Sequence, residues 1–267
     1  MHVAVFLKYV IDPDFLSRDF SLDANGLPTT TFPSFQFDQY DRIALEIALK
    51  LRDQTADVKV SAVCAGPDGA EDRLRDALAV KVSEAVLIAA DRTMSDHDRG
   101  RLMAAWIKRQ GDLSVVLCGR MTSDTDSSET GPVIAETLGW PMISNVVKIE
   151  RRDGRIVCKR EVGDGYEWVY AEGPFVATAT NAPDTTLRKA KLQDVMRTQK
   201  TPIVQLDAGE LTDTGPSQRG LTTLRTYIPG TTHSCQWIDG DSPEEKAREL
   251  ADRLRTVLGR KASVAAS

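Results

Sequence analysis

Paired cysteines are missing from this chain. Its four, Cys64, Cys118, Cys158 and Cys235, lie far apart and form no CxxC, which argues against a disulfide framework or a cysteine-based zinc site. Cys64 and Cys118 fall inside apolar strand-like runs, where cysteine packs as a small hydrophobe, so a reduced, cytoplasmic setting is expected. Histidine is scarce too. His2, His97 and His233 have no partner at metal or catalytic spacing, and no Ser-His-Asp or Cys-His machinery is expected. No run approaches the roughly 18 apolar residues of a membrane span. The apolar patch in the opening MHVAVFLKYVIDPD is short for a signal peptide and lacks a small-residue cleavage site, so no stable membrane insertion is expected. Positive charge is not in excess: 34 Lys and Arg against 39 Asp and Glu give a formal charge of −5, which supplies no global attraction for nucleic acid. Two phosphate signatures are also absent, a GxxxxGK[ST] loop and a GxGxxG after the first strand.

What is present alternates. Val3–Leu7, Val58–Cys64, Ala85–Ala89 and Ser114–Gly119 read as buried strands. Helical spacing separates them: Ile43, Ala44, Ile47, Ala48 and Leu51; then Ala70, Leu74, Ala77 and Leu78; then Leu102–Ile107. Such alternation predicts a mostly parallel sheet flanked by helices, an α/β fold. From Asn145 the texture changes to short β segments, with turns at Asp153-Gly154 and Gly163-Asp164-Gly165, predicting an antiparallel hairpin extension. The basic stretch Asn181–Lys200 reads as a solvated helix and loop or as a docking surface. Gln205–Trp237 has little periodicity and reads as an arm. Ser242-Pro243-Glu244-Glu245 is a capping box opening a helix whose stripe is Ala247, Leu250, Ala251, Leu254, Val257 and Leu258. The expected organisation is an α/β nucleotide-binding domain over 1–200 and a C-terminal arm with an amphipathic helix over 201–267, which packs on its own domain or, as the long arm before it favours, on a partner subunit.

The stretch 124-DTDSSETGP-132 follows a strand and leads into a helix. A calcium loop would need glycine and a bidentate glutamate where Glu129 and Ala135 stand, so the metal reading fails. An acid/base pair has no support, and an ordinary hydrophilic loop stays open. A phosphate site has a mechanism: Thr130-Gly131-Pro132 starts a helix whose free amides, with nearby hydroxyls, bind anions. Ligands of open α/β sheets gather at the carboxyl ends of the strands, where this loop falls. The residues alone describe a nucleotide- or phosphate-binding module without evident catalytic groups.

Several segments, in order, resemble the β subunit of electron-transfer flavoprotein. They are Lys8-Tyr9-Val10-Ile11-Asp12, 39-QYDRIALEIALKL-51, Ala65-Gly66-Pro67 with Leu74–Ala79, 117-LCGRMTSDTDSSETGP-132, 159-KREVGDGYEWV-169 and Pro174–Thr180. The resemblance implies an adenine-nucleotide α-hydrolase-like fold and a heterodimer with an α subunit that holds the redox-active FAD. The chain would then be an electron carrier subunit without catalytic residues of its own, passing electrons from flavin dehydrogenases to a quinone reductase or another acceptor. It implies AMP bound in this subunit, or a second FAD in bifurcating members. The carried-over pocket comprises Phe6, Asp38, Gln39, Tyr40, Asp41, Ala65, Asp124, Thr125, Asp126, Ser127, Ser128, Glu129, Thr130, Gly131, Pro132, Val133 and Ile134. Ser127, Ser128, Thr130 and Gly131 are its expected phosphate contacts. The 181–196 segment resembles a recognition loop for the dehydrogenase, although it reads Asn181-Ala182-Pro183-Asp184-Thr185 where the family has Asn-Glu-Pro-Arg-Tyr. Asp38-Gln39 likewise replaces the family's Asn-Pro. A stand-alone phosphoryl-transfer protein is the rival reading; it needs a lysine or metal at the phosphates, and no lysine lies between Arg120 and Val147.

Overall fold

A computed structural model describes residues 1–14, 17–55, 57–181, 184–211, 223–230 and 235–264. It divides into two units, Met1–Tyr227 and Ile228–Ser267. In the first, strands β1 (His2–Phe6), β2 (Tyr9–Ile11), β3 (Ser21–Leu22), β4 (Pro28–Thr29) and β5 (Phe35–Phe37) lead to α1 (Gln39–Gln54). The alternation then runs β6 (Lys59–Gly66), α2 (Ala70–Ala79), β7 (Glu84–Ala89), α3 (Asp96–Gln110), β8 (Leu113–Gly119) and α4 (Thr130–Leu138). It closes with β9 (Met142–Arg152), β10 (Arg155–Val162), β11 (Gly165–Tyr170), β12 (Phe175–Ala179), α5 (Leu192–Thr198), β13 (Val204–Asp207) and the short turn α6 (Ala208–Leu211).

Nine strands form one sheet in the order β11-β10-β9-β12-β8-β1-β6-β7-β13. From β9 to β13 every pairing is parallel, and β9, β10 and β11 run antiparallel to one another as the expected meander. The central strands are buried on both faces, which explains their unbroken apolar runs. Successive residues of β1 serve different cores. Val3 and Val5 pack with Leu45, Leu49 and Leu74 of α1 and α2, whereas Ala4 and Phe6 pack with Met103 and Trp106 of α3 and Ile134 of α4. The helices therefore cover the two faces in pairs, and every βα turn of the parallel strands opens at one end of the sheet.

One stretch differs from the sequence reading. Residues 201–211, expected as the start of an arm, contribute the ninth strand and the turn α6, because β13 pairs in parallel with β7 and Leu211 is buried against the α3 side. Their short length and exposed pattern hid them. The second unit carries α7 (Pro243–Val264), whose start is capped as expected: Ser242 Oγ accepts from Glu245 N at 3.2 Å, and Glu245 Oε2 accepts from Asp241 N at 2.9 Å. No helix among the described residues is long and apolar enough to cross a membrane.

The start of α4 is held tightly to the sheet. A Cβ on Gly131 would lie 2.5 Å from Thr178 Cγ2 of β12 and 3.3 Å from Cys118 Sγ of β8. Gly131→Ala is expected to cost about 2 kcal/mol by overpacking and to lower the melting temperature by roughly 4–8 °C, measurable by circular dichroism; an unchanged midpoint would show that the helix start slides freely.

Candidate functional site

The carboxyl ends of β1, β6 and β8 surround a narrow cleft. Its walls are Phe6, Leu7, Lys8, Asp41, Ala65, Asp96, Arg99, Met103, the run Cys118–Thr122 and the run Ser127–Thr130. It has about 470 Å3 of empty space with its open mouth included, but an interior wide enough for water-sized bodies of only about 30 Å3. Side-chain ion pairs close it.

Asp41, in the first turn of α1, forms the floor. Its fully buried carboxyl accepts Lys8 N at 2.7 Å and Gly119 N at 2.6 Å, tying together the residues that follow β1 and end β8. Burial, and next the neighbouring Asp38 carboxylate, push this carboxyl well above the ordinary aspartate value, while the two amides and Lys8 pull it down. A Cβ on Gly119 would lie 2.7 Å from Tyr40 Cβ, so only glycine lets α1 approach this closely. Asp38 caps α1 through Tyr40 N at 2.8 Å and also accepts Ser123 N at 2.7 Å, so one aspartate fixes both the helix start and the loop after β8.

That loop is organised from across the cleft. Asp96, in the first turn of α3, has an Oδ2 that accepts the hydroxyls of Thr125 at 2.5 Å and Ser127 at 2.7 Å. Its Oδ1 lies 2.7 Å from Lys8 Nζ, which also reaches Asp124 at 2.8 Å and Thr122 at 3.2 Å. Burial raises the Asp96 carboxyl, but the Lys8 charge and the three hydrogen bonds outweigh it and hold it below the ordinary value. Two other cations stand at the walls. Arg99 donates to the carbonyl oxygens of Ala65 and of Asp91, the latter at 2.8 Å, and burial lowers its pKa. Arg120 stacks its guanidinium over Tyr40 at 5.1 Å and donates to the Tyr40 hydroxyl at 3.2 Å. The loop backbone turns through left-handed conformations at Asp126 (φ 49°) and Ser128 (φ 55°), and the side chain of Glu129, the N-cap residue of α4, makes no capping hydrogen bond to the helix amides. Turns of this kind beside an uncapped helix start present amides to an anion.

The expected site residues divide. Phe6, Asp41, Ala65, Ser127, Ser128, Glu129 and Thr130 meet in the cleft. Asp38, Tyr40, Asp124 and Thr125 border it as capping, stacking and pairing groups, and Asp126 is exposed. Gln39 lines a separate depression with Arg42, Glu161, Tyr166 and Arg188. Gly131 and Ile134 are buried packing positions, while Pro132 and Val133 line a surface groove with His97 and Arg101. Missed were Lys8, Asp96, Arg99 and Arg120. Asp96 lies 29 residues from Thr125, and only its place in the Ser95-led first turn of α3 hinted at order there. Two earlier expectations need correction. A lysine does reach this loop, from the end of β1 rather than from the loop itself. His2 also has close partners, Asp112 and Ser61, supplied by other strands.

The 184–191 segment is strapped along α1. Arg188 pairs with the buried Glu46 at 2.8 Å and with Asp53 at 2.6 Å, and Lys50 reaches Thr185 at 3.1 Å. Leu192 and Met196 of α5 stay exposed. Ala182 and Pro183 lie outside the described residues.

The family model of the electron transfer flavoprotein domain matches residues 33–211. The chain is 27% identical over 266 residues to electron transfer flavoprotein subunit beta of Thermoanaerobacterium thermosaccharolyticum, covering 96% of this chain and 98% of that one. It is 32% identical to the subunit of the same name from Megasphaera elsdenii, over 72% of this chain and 73% of that one. It is also 32% identical to acryloyl-CoA reductase electron transfer subunit gamma of Anaerotignum propionicum, over 80% and 84%.

The lowered Asp96 carboxyl makes the cleft acid-sensitive. Its contribution is present above the unfolded aspartate value of 3.8 and is lost as pH falls through the lower folded value. Asp96→Asn should cost on the order of 3 kcal/mol at pH 7, or roughly 6–12 °C in melting temperature, and the gap from wild type should shrink toward pH 3. A gap independent of pH in calorimetry would reject the pairing account.

Proposed function

The chain belongs to the electron transfer flavoprotein family, and on that premise we propose that it is the β subunit of a heterodimeric electron carrier that binds AMP in the cleft. The relatives are named as electron transfer subunits, which supports a carrier role, with the redox-active FAD held mainly by an α subunit. The observation that carries the nucleotide reading is the uncapped start of α4, set beside left-handed turns at the carboxyl ends of three parallel strands. The groups there fit a nucleotide. Ser128, Thr130 and the α4 amides suit a phosphate, with Lys8, Arg99 and Arg120 supplying positive charge nearby. Ser127 is a poorer phosphate donor than its position in the loop suggested, because its hydrogen is committed to Asp96. The narrow interior implies that a nucleotide enters by moving the Lys8–Asp124 side. AMP has a structural role in this reading: it stabilises the native state by its binding free energy.

Two surfaces suit partners. Leu192 and Met196, just after the strapped 184–191 segment, present apolar side chains among Arg197, Lys189 and Lys191, a surface for flavin dehydrogenases. Leu250, Leu254, Val257 and Leu258 form the exposed stripe of α7, a face that needs a cover and that the α subunit would bury. The rival phosphoryl-transfer reading gains something from Lys8, which supplies the lysine missing from the loop. That ammonium is nevertheless held by two carboxylates.

Co-expression with the α subunit, an absorbance spectrum and nucleotide extraction test the reading. One FAD and one AMP per heterodimer are expected. Two FAD and no AMP would assign a bifurcating carrier, and a colourless monomer that turns over ATP would establish the rival. Ser128→Ala with Thr130→Val should weaken AMP retention by about a hundredfold, from two lost hydrogen bonds to a charged group at ~1.5 kcal/mol each. Leu192→Ala should slow reduction by the dehydrogenase while leaving the heterodimer and its FAD intact; unaltered kinetics would remove the docking role.

A further inference from the structure

One side chain closes the inner end of the cleft. Along β6, Val63 O accepts Leu7 N at 2.9 Å on the β1 side, and Gly66 O accepts Ala90 N at 3.0 Å on the β7 side. Carbonyls two residues apart on a parallel strand point the same way, so the Ala65 carbonyl faces β1. By that level β1 has left the sheet: it ends at Phe6, and the Lys8 amide has turned to Asp41. Arg99 of α3 fills the gap. Its guanidinium donates through Nη1 to Ala65 O, and through Nη2 to Asp91 O at 2.8 Å. One planar group thus spans the ends of β6 and β7.

The fit is incomplete. Arg99 is only 6% exposed, and among the described residues its buried Nε has no hydrogen-bond partner. A buried donor without an acceptor is costly. Phe6 and Met103, both buried, line the same cleft. Apolar walls with a few converging polar atoms are the lining of a small-molecule site. Here Arg99 already takes the polar atoms at the inner end, and the interior is too narrow to admit a base beside it.

We infer that Arg99 stands in for the edge of a nucleobase and decides which base can displace it. The inference rests on the nucleotide reading above. The groups that Arg99 gives up are carbonyl oxygens, which only accept hydrogen bonds. A base must therefore bring a donor. The exocyclic amine of adenine does so, whereas the keto oxygen of hypoxanthine at the same ring position would face them acceptor to acceptor. The displaced guanidinium has the Asp96 and Asp124 carboxylates to turn to, whose charges it already feels. Movement on the Lys8–Asp124 side then opens the mouth, and movement of Arg99 opens the inner end. A plain role as counter-charge to the phosphate predicts the reverse: losing Arg99 would weaken AMP and leave adenosine unchanged.

The test measures binding of AMP, IMP and adenosine by calorimetry, and association rates by stopped flow, for the full chain co-expressed with the α subunit and freed of nucleotide by dialysis. Wild type, Arg99→Ala and Arg99→Lys are compared. Arg99→Ala should bind AMP and adenosine about tenfold more tightly than wild type and associate faster, with about a tenfold preference for AMP over IMP. Arg99→Lys keeps the charge without the planar fork; it should fall between the two and decides the matter if Arg99→Ala fails to fold. AMP binding by the variants no tighter than by wild type, or no discrimination between AMP and IMP, would overturn the inference and leave the nucleotide reading standing. No binding of AMP by any of the three proteins would overturn both.

Discussion

The Asp41 carboxyl organises the carboxyl end of the sheet. It takes the amide that follows β1 and the amide that closes β8, two adjacent parallel strands whose backbones leave each other where a site must open. Without an acceptor those amides would be buried donors with nothing to bind, a cost of about 1–3 kcal/mol each. Satisfying both from α1 sets the helix against the strand ends, and Gly119 permits the approach. Asp38, three residues earlier, extends the arrangement to Ser123 and so to the loop that carries the candidate phosphate groups. The fold and the cleft share one set of hydrogen bonds.

Charge in the cleft is arranged to be internally neutralised. The negative loop would repel a phosphate if its side chains faced inward unpaired. Asp124 instead lies on Lys8, and Asp96 binds Lys8 together with two hydroxyls, which leaves the backbone amides and the α4 start as the anion-facing surface. The same pairs narrow the cavity, so rigidity of the loop and access for a ligand oppose each other. The opposite end of the sheet uses a comparable device for another purpose, linking strands through His2 and Ser61 without forming a cavity.

The sequence was legible wherever a physical constraint is local or periodic. Buried strands appeared as apolar runs, α1 and α2 as helical stripes, the meander through its glycine turns, and α7 through Ser242 and Glu245. β13 was not legible, because a short, mostly exposed edge strand has neither a long apolar run nor a clear alternation. Within the cleft, the residues near 124–130 announced themselves by composition and by the helix start, whereas Lys8 and Arg99 had no local signal and Asp96 had only its place in a capped first turn.

Local pattern in the chain dictates the alternation of strands and helices, the place of the loop at a strand's carboxyl end and the glycine–proline start of α4, because each depends on neighbours a few residues apart. Which charges meet is a property of the folded sheet alone. Lys8 with Asp96 and Asp124, Asp41 with the Gly119 amide, and His2 with Ser61 and Asp112 are contacts between residues 59 to 116 positions apart. They come together because parallel strand order places distant segments side by side, and burial then forces each polar group to find a partner.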